Sequence, residues 1–293
     1  RPGAPVIEAS SGSTAISEAY FARLLGLPFI AVVPASTSQE KIAQIAFYGG
    51  KTHLVNDPTQ LYAESERLAQ ETGGHFMDQF TFAERATDWR ANNNIAESIF
   101  TQMRFERHPE PSWLISSPGT GGTTATLGRY VRYRQHDTRV LCADAERSVF
   151  FDSYKTGDRS LRLDCGSRIE GIGRPRVEAS FMPHVIDAMV KVPDALSLAA
   201  MHYLADHLGR RVGASSGTNL IGALAAAGQM QSQGEAGSIV AILCDGGDRY
   251  ATSYYDQDWL KGQGFELTQL IEAVAACVEK GQALPESVLR EGI

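Results

Sequence analysis

Closely spaced cysteines are missing from this 293-residue sequence. Cys142, Cys165, Cys244 and Cys277 stand far apart, in no CxxC or zinc-like spacing. That excludes a disulfide framework or a zinc knuckle and fits reduced thiols in a cytoplasmic protein. Cys142 and Cys244 sit in apolar, strand-like runs and are expected in the core. The histidines are also scattered, and His202 and His207 lie five apart, the wrong offset for one helix face, so no metal site is expected. A basic excess is absent as well. The formal charge is −7, whereas a surface that binds nucleic acid needs clustered Lys and Arg, so no such partner is expected. The apolar runs Phe29-Ile30-Ala31-Val32-Val33 and Ile239-Val240-Ala241-Ile242-Leu243 are strand-sized, far below the ~20 residues of a spanning helix, so no membrane segment is expected. Arg1-Pro2-Gly3-Ala4-Pro5 offers neither an initiator methionine nor a signal-peptide core, and a strand-like Val6-Ile7-Glu8-Ala9 follows at once. This abrupt start leads to the expectation of a longer parent chain.

What is present is an ordinary globular composition, 43% hydrophobic and 21% charged, with length enough for two lobes. Short apolar runs alternate with amphipathic stretches. The pattern predicts strands near 5–9, 29–33 and 52–55 interleaved with helices near 14–25, 38–48 and 58–72. Farther on it predicts a strand at Trp113-Leu114-Ile115, a helix near 123–135, a strand at Val140-Leu141-Cys142-Ala143, helices near 194–208 and 218–231, and a strand at 239–244. Residues 145–185 read as loop-rich, and 81–94 as the crossing between lobes. Such alternation implies an α/β protein of mostly parallel sheets with helices on both faces.

In such folds ligands bind at the carboxyl ends of strands, where helix N-termini present unpaired amides. Four loops fit. Ser10, Ser11, Gly12, Ser13 and Thr14 follow a strand and open a helix, with more hydroxyls than a helix cap requires. Gly119, Thr120, Gly121, Gly122 and Thr123 do the same after the strand at 113, with glycines that let backbone approach a phosphate. The spacing is neither a dinucleotide loop nor a Walker loop. Gly213-Ala214-Ser215-Ser216-Gly217-Thr218 precedes a helix, and Asp245-Gly246-Gly247-Asp248-Arg249-Tyr250 follows the last strand. Together they point to a phosphorylated ligand.

The same loops in the same order resemble fold-type II pyridoxal-phosphate enzymes related to cysteine synthase and cystathionine β-synthase. The resemblance implies the two-lobed fold of the tryptophan synthase β-subunit, with a smaller lobe over 1–82 that binds the substrate carboxylate and is incomplete at its N-terminus, and a larger cofactor-binding lobe over 83–293. It implies pyridoxal 5'-phosphate as cofactor, an amino-acid substrate and a homodimer. In that family a TSGNTG loop binds the substrate carboxylate, here Ser10, Ser11, Gly12 and Thr14, with Gln79 of Gln79-Phe80 assisting. GTGGT cradles the cofactor phosphate, and 119–123 match it letter for letter. A serine meets the pyridine nitrogen, Ser215 here with Ser216 as the alternative. Glu170-Gly171-Ile172-Gly173 resembles the glycine segment near the cofactor, and Gly247-Asp248-Arg249-Tyr250 a late motif expected to be structural.

Departures narrow the resemblance. Ser13 stands where the family has an asparagine that contacts the cofactor's phenolic oxygen. The stretch Thr81-Phe82-Ala83-Glu84-Arg85-Ala86-Thr87-Asp88-Trp89 lacks the NPAN-like run of cysteine synthases. Both features resemble the bacterial cysteine desulfhydrase subgroup, which implies β-elimination of cysteine to sulfide, pyruvate and ammonia. The alternatives are β-replacement by a cysteine synthase or, since none of Lys41, Lys51, Lys155, Lys191, Lys261 and Lys280 lies in the family's SxKxR context for the Schiff-base lysine, a non-catalytic binding module.

Overall fold

The structure, a computed structural model, describes residues 3–90 and 93–284. Arg1 and Pro2, on which the expectation of a longer chain turned, lie outside the described residues. The chain divides into two compact units, Arg1–Phe82 and Ala83–Ile293.

The first unit alternates strand and helix: β1 Val6–Glu8, α1 Ser13–Leu24, β2 Phe29–Pro34, α2 Gln39–Phe47, β3 Lys51–Val55, α3 Leu61–Thr72, β4 His75–Phe76 and the short α4 Gln79–Phe82. The strands pair in parallel in the order β3-β2-β1-β4. Parallel strands covered on both faces read as continuous apolar runs, as β2 does. Ala15, Ala19 and Ala22 form one buried stripe of α1 and join Phe29, Ala31, Val33 and Ile45 in a single core cluster. Their offsets of four and three residues are those of one helix face. The stretch at 58–72 is two elements: Asp57 caps a tight turn at Pro58–Gln60 before α3 begins.

In the second unit α5 Ile95–Met103 precedes β5 Trp113–Ser116, α6 Gly122–Arg134, β6 Arg139–Ala145, α7 Phe150–Thr156, β7 Ala188–Val192, α8 Asp194–Leu208, α9 Ala214–Gln233, β8 Ile239–Ala241, α10 Gln257–Gly262 and α11 Thr268–Lys280. Its parallel sheet runs β7-β6-β5-β8. Trp113, Ile115, Leu141, Ala143, Val190 and Val192 from the sheet pack with Leu196, Ala200 and Ile221 from α8 and α9.

Three expectations need correction. The helix read from 218 begins at Ala214, so Ser215, Ser216 and Gly217 form its first turn after an extended N-cap at Gly213. Strand β8 ends at Ala241 because its pairing with β5 ends there, and Cys244 is exposed instead of buried in the core. The loop-rich stretch contains α7, anchored where Phe151's amide donates to buried Asp144 at 2.8 Å. That anchor is tertiary and leaves no periodic trace. No helix among the described residues is long and apolar enough to cross a membrane.

Gly128 shows why a glycine survives inside a helix. A Cβ built there would lie 2.3 Å from the Val185 carbonyl oxygen, so α6 touches its neighbour through bare backbone. Alanine would raise helix propensity, yet the clash dominates. Gly128→Ala is expected to destabilise the protein by about 1–3 kcal/mol in a denaturant titration, and a gain in stability would contradict this close approach.

Candidate active site

The second unit builds its loop cluster at the carboxyl end of β5. Gly121 caps α6 with φ of 93°, a left-handed conformation that side chains rarely adopt. The first intrahelical bond runs from Ala125's amide to Gly121's carbonyl at 2.9 Å, so the amides before Ala125 lie ahead of the helical ladder. Gly122's amide makes only a long 3.4 Å contact to Thr120 Oγ1. The first turn of α6 holds no acidic residue, nor do those of α1 and α9. A helix N-terminus favours negative charge, and these three leave that favour to a ligand. In contrast, α2, α3, α5, α7 and α8 carry an Asp or Glu there.

Backbone packing gives the 119–123 loop its shape. A Cβ on Gly119 would lie 2.2 Å from Gly171's carbonyl oxygen, and one on Gly121 would lie 3.0 Å from Phe181 Cα. Gly173's amide donates to Pro118's carbonyl at 2.8 Å, and the Ser180 hydroxyl donates to Thr120's carbonyl. Gly171 and Gly173 both have positive φ. The 170–173 segment is held in turn by Arg249, which pairs with Glu170 at 2.9 Å, while Tyr250 donates to Asp245 at 2.7 Å. The late motif therefore braces the glycine segment.

Ser215 and Ser216 are both buried at the start of α9. Ser216 Oγ accepts from Cys244's amide at 2.9 Å and so ties the start of α9 to the backbone beyond β8. One turn on, Asn219 accepts from Ser117's hydroxyl at 2.5 Å and donates to Ile242's carbonyl at 2.8 Å. It thus ties the start of the glycine loop to the end of β8. Ser180 and Asn219 were missed in the sequence. Asn219 had a weak signal, an amide among small residues just after a motif, and Ser180 had none.

In the first unit, residues 10–14 leave the carboxyl end of β1. Gly12 is the extended N-cap of α1, its amide makes a 3.3 Å contact to Ser10 Oγ, and a Cβ built on it would meet nothing within 4 Å. Packing therefore does not demand glycine there. Ser11 is half-buried and Ser13 exposed. Thr14 Oγ1 donates to Gln79 Oε1 at 2.8 Å, bringing together two residues 65 apart. Glu8 is the functional-site neighbour that sequence reasoning missed, its signal a charge inside a buried strand. It is wholly buried; Oε1 accepts from Ala9's amide at 2.7 Å and Oε2 from Gln79's amide at 3.2 Å. Burial pushes its carboxyl up to about 7, against the pull of the Gln79 and Ala9 amides, and Asp78 pushes the same way as burial. On α1, burial and the charge of Glu8 raise Glu18 to about 8, and its buried Oε2 has no hydrogen-bond partner among the described residues.

The described lysines lie on α2, β3, α7, β7, α10 and α11, and Lys191 is engaged by Asp152 at 2.6 Å. None of them is assigned as a Schiff-base lysine.

A parallel α/β unit with a glycine-rich loop at a strand end and a serine-led helix has the arrangement of a ligand-binding class. The chain belongs to the pyridoxal-phosphate dependent enzymes, a family description that matches residues 1–245. It is 59% identical over 261 residues, 89% of this chain and 71% of the relative, to L-cysteine desulfhydrase Cds1 of Mycobacterium tuberculosis. It is 25% identical to a cysteine synthase of Dictyostelium discoideum, covering 92% of this chain and 73% of that one. The crystal structure of a hydrogen sulfide-producing enzyme from Fusobacterium nucleatum shares the fold, with a TM-score of 0.76 at 24% identity over 93% of this chain and 78% of that one. The 119–123 loop fits the family's cofactor: its amides stand ahead of the helical ladder of α6, and its helix start carries no competing carboxylate.

The two raised carboxyls set a pH dependence. A carboxyl whose folded pKa lies above its unfolded value stabilises most below the unfolded value and loses that stabilisation as pH rises through the folded one. With folded values of about 7 and 8 against 4.5 unfolded, stability contributed here falls between about pH 4.5 and 8. Glu18→Gln, neutral at every pH, is expected to flatten the fall in melting temperature over that window and to melt higher than wild type near pH 8. An unchanged slope would contradict a buried, proton-retaining Glu18.

Proposed function

We propose that this chain is the greater part of a pyridoxal-phosphate dependent L-cysteine desulfhydrase, which eliminates sulfide from cysteine to leave pyruvate and ammonia. The observation that carries the reading is the 59% identity to a desulfhydrase across 89% of the chain, joined to a loop in the second unit that suits a phosphate and one in the first unit that suits an α-carboxylate.

Pyridoxal phosphate, when bound, supplies the electron sink for charge that develops at the amino acid's α-carbon. Gly119, Thr120, Gly121, Gly122 and Thr123 hold its phosphate through amides, hydroxyls and the positive end of α6. Ser215 offers an uncharged hydroxyl to the pyridine nitrogen. Ser216 is the alternative: its oxygen accepts Cys244's amide, which leaves its O–H free to donate. A neutral hydroxyl there would make the bound ring a weaker electron sink than a carboxylate partner would. Ser10, Ser11, Gly12 and Thr14 bind the substrate's α-carboxylate with Gln79, whose side-chain carbonyl is occupied by Thr14 so that its NH₂ is turned to donate. Ser13 takes the contact to the cofactor's phenolic oxygen. Two donors at the carboxylate orient the amino acid, and orientation decides which bond at the α-carbon breaks.

The four cysteines are free, in keeping with a cytoplasmic enzyme. A homodimer is the assembly proposed, on the family resemblance. Incubation of the full-length protein with cysteine is expected to release sulfide and pyruvate in equal amounts. Sulfide without pyruvate, or product formed only when O-acetylserine is supplied, would contradict elimination and favour a synthase.

A further inference from the structure

Glu8 is out of place on electrostatic grounds. A site that receives a carboxylate gains nothing from a buried acidic group two residues before its binding loop, whose ionised form would repel that ligand strongly where water is excluded. Burying such a group also costs stability unless it is fully hydrogen-bonded. What Glu8 does gain is geometry. Its two oxygens take one amide from each of two segments, Ala9 at the start of the 9–14 loop and Gln79 at the start of α4. Thr14 and Gln79 then close the circuit from the far end of the loop with their 2.8 Å side-chain bond. The loop is thus pinned at both ends to the same residue, Gln79, once through the backbone and once through the side chain. Asp78 and Glu18 are the charged groups that bear on Glu8, and both are acidic. Among the described residues no cation pairs with Glu8, and its two oxygens rest on those two amides.

We infer that Glu8 is a positioning residue for substrate recognition: it never meets the substrate, but fixes the 10–14 loop and Gln79 as one preformed carboxylate receptor. The inference rests on the assignment of that loop to the substrate carboxylate.

Two variants of the full-length holoenzyme test it. Glu8→Gln keeps the size but turns an NH₂ toward one of the two amides. Glu8→Asp keeps the charge beside Ala9 and falls one methylene short of Gln79. Three readouts are taken: hydrogen exchange of segments 9–14 and 77–81, affinity for L-alanine, which carries the α-carboxylate without a β-leaving group, and steady-state kinetics with cysteine. Both variants are expected to exchange faster in both segments and to bind L-alanine about tenfold more weakly, with KM for cysteine raised to match and kcat within about twofold of wild type. Unchanged L-alanine affinity in either folded variant would overturn the inference, as would a fall in kcat with KM unmoved. If wild type gives no sulfide and pyruvate from cysteine, the desulfhydrase reading fails, and L-alanine affinity still decides the role of Glu8.

Discussion

The approach of Gly119 to Gly171 is the constraint on which the second unit's site depends. With 2.2 Å between a would-be Cβ and a carbonyl oxygen, no side chain fits, and the two loops meet backbone to backbone. Gly173's amide on Pro118 and Ser180's hydroxyl on Thr120 hold the same loop from two other sides. Its backbone is therefore set in place by packing, and the helix behind it adds positive potential without an acidic residue to consume it. Such preorganisation removes the ordering cost from binding. Asn219 and the Arg249–Glu170 pair extend the bracing to β8 and to the end of the sheet.

The first unit reaches the same end by different means. Its loop lacks a close backbone contact at Gly12, where a Cβ would be free. Hydrogen bonds do the work: Thr14 to Gln79 on one side and Glu8 to two amides on the other. Steric exclusion shapes one loop, while a buried carboxyl pins the other through two amides. The chemistry of the ligands fits this division. Under the proposed assignment, a phosphate that stays in place meets a fixed backbone, and a substrate that must come and go meets side chains.

Much of this was legible in the residues because it obeys local rules. Parallel α/β architecture follows from apolar runs alternating with amphipathic stretches, and the glycine and hydroxyl loops mark strand ends through the conformations only such residues permit. The boundaries that slipped did so where tertiary partners decide them. Helix α9 begins at Ala214 although Ser215, Ser216 and Gly217 are weak helix formers, because burial beside the end of the sheet compensates. Cys244 left the core because β8 runs out of pairing at Ala241. Glu8, Ser180 and Asn219 were invisible as site residues, since each acts through a partner distant in sequence and none belongs to a periodic pattern. A charge inside the strand Val6-Ile7-Glu8, and the amide of Asn219 just after a small-residue turn, were the slight signals available for two of them.

The central claim is that the bare-backbone contact of Gly119 shapes the phosphate site. The most direct test titrates pyridoxal phosphate into full-length wild type and Gly119→Ala, with circular dichroism to confirm that both are folded. The account predicts that the folded variant binds the cofactor at least about tenfold more weakly, a loss of about 1.4 kcal/mol. Equal affinity in a folded Gly119→Ala would contradict it.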